Sequence, residues 1–338
     1  MYNITCISDF GYFDSPEFLK LGLHISFTIS TPIYSLGLYC ILCKTSKAME
    51  SVKWYLLSLQ IWIMSFDYFY TLLLIPFVFF PEVAWISYGL LQYLGVSPII
   101  QAFTWMIAAS YVVVSSFAIF ENRFYILCEF RWKMKSPVFR RIWLLLHYIG
   151  GTLWPVPALF LIPEQNAAKQ ALFRNLPCLP EYLYNEQIFF PVAKLGYNLP
   201  LVIILVGFVI VECDFYTICL IWSAREQVKS RRLSKATYEI QKKFFIALVI
   251  QTVVPFALLF VPFSVLFGVI FLFGYRNQAL LNLGTLAIST HGPIATVTMI
   301  LVHRPYRLAV KEMITERRRL RTVPIARPPL QISTSSMT

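Results

Sequence analysis

Long apolar runs separated by short polar stretches set the pattern of this chain. A helix needs about 20 apolar residues to cross a bilayer. Seven windows reach that length: Leu21 to Leu42, Trp54 to Phe80, Tyr88 to Phe120, Ile142 to Ile162, Leu195 to Trp222, Phe244 to Phe273 and Ala279 to Val302. Together they hold three acids, Asp67, Glu212 and Asp214, and no Lys or Arg. Within hydrocarbon a lone segment can satisfy its own backbone only as a helix, so each window predicts one. The predicted architecture is an all-α membrane protein: a seven-helix transmembrane bundle over 21–302, preceded by a polar segment 1–20 and followed by a basic tail 303–338. Early in that tail, Tyr306, Ala309, Val310, Met313 and Ile314 share one face, and Pro305 suits a first helical position. This predicts a short amphipathic helix on the membrane surface. The longest loop, from Pro163 to Lys194, also contains Pro177, Pro180 and Pro191 and is predicted to be an irregular lid rather than a helix.

Composition closes off other classes. Hydrophobic residues make up 58% and charged residues 14%, against about 25% charged in soluble domains, so the apolar excess belongs against lipid. The net charge of +12 is informative only through its distribution. Segments 43–53, 121–141, 223–243 and 303–338 carry 24 of the basic residues, and the opposite side carries five. Basic residues concentrate on the cytoplasmic side, which puts the N-terminus outside, the tail inside, and the basic loops against lipid headgroups. Those loops hold no nucleic-acid-binding motif. Residues 1–20 lack the basic start of a signal peptide, so the first span is expected to serve as its own insertion signal. His24, His147, His291 and His303 are scattered singly, and neither a phosphate-binding Gly loop nor a GxSxG motif is present. No enzyme, metal or cofactor is expected. The seventh window has no lysine, which excludes a retinal pigment, and a transporter's internal repeat is not found.

Several side chains stand out on this background. Cys6 and Cys178 are the two cysteines placed outside, where a disulfide between them is expected to tie the N-terminal segment to the long loop. Asn3-Ile4-Thr5 is an acceptor sequence for glycosylation. Ser97, Gln101, Thr104, Tyr111 and Ser115 fall on one face of the third span. That face either lines a ligand cavity or supplies hydrogen bonds between helices; Ser97, Gln101 and Thr104, with Phe263, Phe267 and Asn282, are the ligand-binding candidates, and Phe260 shares the sixth-span face. Asp67 stands fourteen residues, about 21 Å of helix, above Lys53, and His291 lies at a similar depth. An isolated charge there is costly, so the two are expected to pair and act as a switch, the alternative being ordinary structural hydrogen bonding. Glu212 and Asp214 have no basic partner assigned to them. Arg123, at the inner mouth of the third span, is either a coupling residue or a membrane-side anchor.

A set of short motifs carries a family resemblance. Ser15-Pro16-Glu17-Phe18 leads into Leu23-His24, followed by Lys44-Thr45, Met49, Val52-Lys53-Trp54-Tyr55-Leu56-Leu57, Asp67 and Pro76. Then come Phe120-Glu121-Asn122-Arg123, Leu176-Pro177-Cys178-Leu179-Pro180, Gln251, Pro255 and Pro262, Ser289-Thr290-His291-Gly292, and His303-Arg304-Pro305-Tyr306-Arg307. Their order and spacing, from Cys6 to about Arg307, resemble the nematode serpentine chemoreceptors of class H. The resemblance implies a G-protein-coupled receptor in a plasma membrane, of the sensory-neuron cilium in particular. It would bind a small-molecule or peptide ligand from outside and activate a heterotrimeric G protein. Glu121, Asn122, Arg123, His303, Arg304 and Tyr306 would then form the coupling surface. Asn122 before Arg123, and His291-Gly292-Pro293 in the seventh span, depart from rhodopsin-like receptors, so the switch of those receptors does not transfer. The rival readings are a seven-span ligand-gated channel and a small-solute transporter.

The charge asymmetry gives a direct expectation. A tag placed before Tyr2 should stain on intact cells, and a tag after Thr338 only after permeabilisation. The reverse pattern would favour the channel reading.

Overall fold

The computed structural model describes residues 11–79, 83–128, 136–175, 181–191, 195–229, 234–273 and 277–322. In chain order its helices are α1 (Pro16–Cys43), α2 (Glu50–Tyr68), the single turn α3 (Leu90–Tyr93), α4 (Pro98–Leu127), α5 (Pro137–Leu153), α6 (Gln165–Asn175), α7 (Leu195–Lys229), α8 (Lys235–Phe273), α9 (Gln278–Ser289), α10 (His291–Val302) and α11 (Arg304–Thr322). Among the described residues, five stretches are long and apolar enough to cross a bilayer: Pro16–Cys43, Glu50–Leu74, Pro98–Leu127, Pro137–Leu161 and Gln278–Val302. With α7 and α8, of 35 and 39 residues, they make a seven-helix transmembrane bundle, and α11 is the amphipathic helix that follows it.

Three spans start the same way. Ser15-Pro16, Ser97-Pro98 and Ser136-Pro137 each place an extended serine before a proline at the first helical position, where the missing N–H costs nothing and φ is already helical. Pro98 therefore starts the third span ten residues later than the apolar window at Tyr88 suggests. The second span ends earlier than its window for a related reason. Pro76 cannot extend a helical hydrogen-bond ladder; α2 widens into a π-helical turn over Phe69–Leu74, and the buried Ile75 turns the chain at φ 45°. The described remainder of the window is a strand.

That strand, β1 (Pro76–Phe79), pairs antiparallel with β2 (Ala84–Ser87), with Pro76 opposite Ser87 and Phe79 opposite Ala84. Trp85 exchanges backbone hydrogen bonds with Phe189 of the long loop. Contrary to expectation, that loop contains a helix, α6. Its prolines lie outside 165–175, and the Glu164 carboxylate accepts from the backbone N–H groups of Asn166 and Ala167 at 3.0 and 2.6 Å, which caps an alanine-rich turn.

α4 is the central post, packed against α2, α5 and α7, while α1 lies against α2, α9 and α10. One apolar core fills the hairpin end of the bundle around Leu19, Leu23, Phe77, Ile86, Leu172 and Leu183. A second runs down α1, α2 and α10 to Tyr306 of α11, and a third joins α4 to α7 through Phe117, Phe124 and Tyr216. Ile142, Leu145, Leu146 and Ile149 leave one side of α5 apolar and exposed, as a lipid-facing helix requires.

The seventh span is broken into α9 and α10. Pro293 has no N–H for the carbonyl of Ser289, four residues earlier. Ser26 Oγ of α1 supplies a long hydrogen bond of 3.5 Å to that carbonyl instead, and Ser289 Oγ donates to Ser26 Oγ at 3.0 Å. At the break a Cβ on Gly292 would stand 2.1 Å from the Tyr34 hydroxyl, so a larger residue there would displace the ring that bonds Asp67.

Gly89 is under a stricter constraint. Its N–H donates to Leu74 O at 2.9 Å where the hairpin folds back on the π turn, and a Cβ there would lie 2.1 Å from Leu73 O and 2.3 Å from Leu73 C. Main chain cannot yield as a side chain can. Gly89→Ala should cost about 1–3 kcal/mol or more, read as a lower thermal midpoint of the purified protein and reduced surface delivery; unchanged stability would show that the hairpin moves freely over α2.

Candidate functional site

Among the described residues, two polar clusters bear on the predicted site, one near the middle of the bundle and one at the tail end. In the middle, Asp67 of α2 is fully buried. Tyr34 of α1 donates its hydroxyl to Asp67 Oδ2 at 2.7 Å, whereas among the described residues Oδ1 has no hydrogen-bond partner. Thr71 Oγ1 donates to the Asp67 carbonyl at 2.7 Å, which occupies an acceptor where the helix widens. About two turns of α2 toward the tail, Gln60 and Thr296 of α10 are joined by a 2.9 Å hydrogen bond.

The expected contact between Asp67 and His291 is not made. His291 is buried, but Nδ1 donates to the Ile288 carbonyl at 2.8 Å, and the ring packs edge-on against Phe66 at 5.2 Å. The cause is helical phase. Phe66 and Asp67 are successive residues and point about 100° apart; Phe66 takes His291, while Asp67 meets Tyr34 and the bare Gly292. Phe66 also stacks with Tyr70 and Trp105, so His291 closes an aromatic cluster beneath the hairpin.

The predicted ligand stripe divides. Ser97 and Thr104 are exposed, and Thr104 donates to Ile100 O within its own helix. Gln101 is buried with its amide engaged: it accepts from Ser87 Oγ and donates to Val96 O, both at 2.7 Å. It fastens the hairpin to the start of α4. Tyr111 and Ser115 bond to Thr152 and Tyr148 of α5 at 2.7 and 3.0 Å, which is interhelical bonding. Asn282 is likewise buried and structural, donating to Phe13 O at 2.8 Å and accepting from Gln278. The side chains of Phe260, Phe263 and Phe267, and residues Asn3, Cys6 and Cys178, lie outside the described residues.

At the tail end, Glu121, Asn122 and Arg123 are all buried. Arg140 Nε of α5 lies 2.9 Å from both Glu121 oxygens, and its Nη2 donates to Asn122 Oδ1 at 2.7 Å and to the Tyr55 hydroxyl at 2.9 Å. Its guanidinium covers the Tyr125 ring at 4.4 Å. Asn122 Nδ2 donates to Ser51 O at 3.0 Å. One arginine thus joins α2, α4 and α5. Counted only as a topology charge, Arg140 was missed, although a cation in a helix's first turn opposes the dipole and signals a carboxylate partner.

Next to this knot, His303 donates Nε2 to Gln251 Oε1 of α8 at 3.0 Å. Burial, and secondly the charge of Arg123, push its imidazole down to about 4, so it is neutral near pH 7. Tyr306 is fully buried and hydrogen-bonded to Thr45 at 2.9 Å, while Arg304 is exposed. α11 is therefore docked beside the end of α1 through Tyr306, and the His303 turn before it is tied to α8. Glu212, for which the sequence offered no partner, lies 3.2 Å from His147 Nε2.

A family model described as "Serpentine type 7TM GPCR chemoreceptor Srh" matches residues 14–316. The chain belongs to the Srh serpentine chemoreceptor family. Serpentine receptor class H-72 of Caenorhabditis elegans is 28% identical over 327 residues, covering 96% of this chain and 94% of that protein. The fold is similar to that of squid rhodopsin, with a TM-score of 0.54 and 12% identity over 88% of this chain and 85% of that one. This Srh chain is thus a multi-pass membrane protein with a receptor fold.

In this Srh protein the Tyr34–Asp67 bond, rather than an Asp67–His291 pair, ties α1 to α2 at the seventh-span break. Tyr34→Phe and Asp67→Asn should each lower stability, with a coupling of about 1 kcal/mol in a double-mutant cycle. Asp67→Asn combined with His291→Ala should be additive. Measurable coupling of the second pair, or none in the first, would reverse the assignment.

Proposed function

We propose that this Srh protein is a chemosensory receptor that takes a small external ligand in the hairpin-end half of the bundle and activates a heterotrimeric G protein at the tail end. The hairpin end then faces outside and α11 faces the cytoplasm, as the 24-to-5 distribution of basic residues supports. Placement in the plasma membrane of a sensory cilium follows the family's chemoreceptor character.

The observation that carries the reading is the tail-end knot. A buried Glu121-Asn122-Arg123 segment is held by an arginine from another helix, beside a neutral His303 that links α8 to α10 and α11. Such a cluster can exist in two packed arrangements, and a ligand shifts the balance only by binding one of them better. α8 is a suitable moving element, since Pro255 and Pro262 lie inside it and each removes a backbone hydrogen bond. Arg123, Arg304 and the docked α11 would form the partner surface.

Arg123→Ala should abolish Gα activation while surface expression stays near wild type. Normal ligand sensitivity in that variant would make Arg123 a membrane-side anchor and move the coupling surface elsewhere.

A further inference from the structure

His147 and Glu212 form a contact that the coupling mechanism does not use. His147 lies ten residues into α5, about 15 Å along the helix, and Glu212 sits at the midpoint of the 35-residue α7. Their side chains are 13% and 15% exposed, with Nε2 3.2 Å from Oε2. The second ring nitrogen settles the proton count. His147 Nδ1 is 2.9 Å from the Trp143 carbonyl, and a carbonyl only accepts, so Nδ1 carries a hydrogen. A hydrogen bond between Nε2 and Glu212 then requires one more proton, either on Nε2 facing a carboxylate or on Oε2 facing a ring lone pair. Without it two lone pairs oppose each other, and a bare carboxylate is left at mid-membrane, where it is costly.

We infer that His147 and Glu212 together form a proton-binding site that latches α5 to α7. Binding takes one proton from water into the space between Nε2 and Oε2; its release returns it to water, breaks the hydrogen bond and leaves the glutamate charged. Phe117 of α4 lies face to face with the imidazole, ring centres 4.4 Å apart and 17° from parallel, which favours a cationic ring. Around the pair, α4 presents Phe117 and α5 presents Trp143 edge-on at 4.8 Å, and neither titrates. Tyr216 of α7 packs on the far partner Phe117, and Asp214 is exposed, two residues beyond Glu212 and on another face. Tyr148 is directed to Ser115, and the Glu121–Arg140 pair lies about two turns toward the tail end. Among the described residues α5 and α7 each pack principally on α4, so this bond directly ties two helices whose main contacts are with a third. The ligand class is the proton, and the receptor is predicted to be acid-sensitive in the membrane.

The test is the thermal midpoint of the purified full-length receptor in lipid nanodiscs, measured from about pH 5 to about pH 9. Wild type should lose about 2–4 °C as the proton leaves. In Glu212→Gln the amide can donate to the Nε2 lone pair or accept from Nε2–H, so the bond no longer needs the extra proton and the slope should be clearly smaller than in wild type. His147→Gln, whose amide can donate or accept, should flatten the profile as well and serves if the first variant folds poorly. A flat wild-type profile, or a wild-type slope retained in both variants, would overturn the proposal.

Discussion

Water does not reach the hydrocarbon core of a bilayer, so each polar group carried into the bundle must be met by another part of the protein. The structure meets that demand in two ways. Hydroxyls at the lipid-facing surface bond within their own helix: Thr28 to His24, Ser35 to Thr31 and Thr104 to Ile100 each reach the carbonyl four residues back. Groups that face inward cross to a neighbour, as Tyr34 does to Asp67, Gln60 to Thr296, Ser115 to Tyr148 and Arg140 to Glu121. The crossing bonds fix which helix faces which, a choice that apolar packing alone leaves open because lipid tails are as apolar as leucine.

The same demand explains why irregular backbone occurs where it does. Each interruption sits beside a group that takes up the freed donors or acceptors: Thr71 at the π turn of the second span, Ser26 at the break in the seventh, Ser87 and Gly89 where the hairpin returns to α2. Proline sets the position of two of these interruptions, and a nearby hydroxyl or backbone N–H makes each tolerable within the bundle.

Much of this was legible in the sequence. Unbroken apolar runs located the seven crossings, and the periodicity after Pro305 located α11, because in both cases one dominant force acts along a continuous segment. The ends of the spans were less legible. Tyr88 and Phe79 lie in apolar runs like those of the helices, and only the prolines at 98 and 76 reveal that the chain there belongs to a turn and a strand. Partners of polar residues were least legible. Asp67 and His291 share a depth yet point apart, since depth depends on residue count and direction on helical phase; Arg140 and His147 could be matched to Glu121 and Glu212 only once the lateral order of helices was known. Gln101 and Asn282, singled out as ligand-binding candidates, are both buried, but a sequence does not distinguish an amide that fastens a loop from one that greets a ligand.

The break at His291 divides the seventh span between two allegiances. Its first half is bound to the beginning of the chain: Asp14 accepts from the N–H of Ala279, and Asn282 holds the backbone of Phe13 and Ser15. Its second half answers to α2 and α11 through Thr296 and through the turn at His303 that leads to Tyr306. A force applied to the N-terminal segment therefore travels down α9 and arrives at a joint rather than at a continuous rod. There it can be delivered as a change of angle, so the same short stretch that interrupts the helix makes it a lever with its fulcrum inside the membrane.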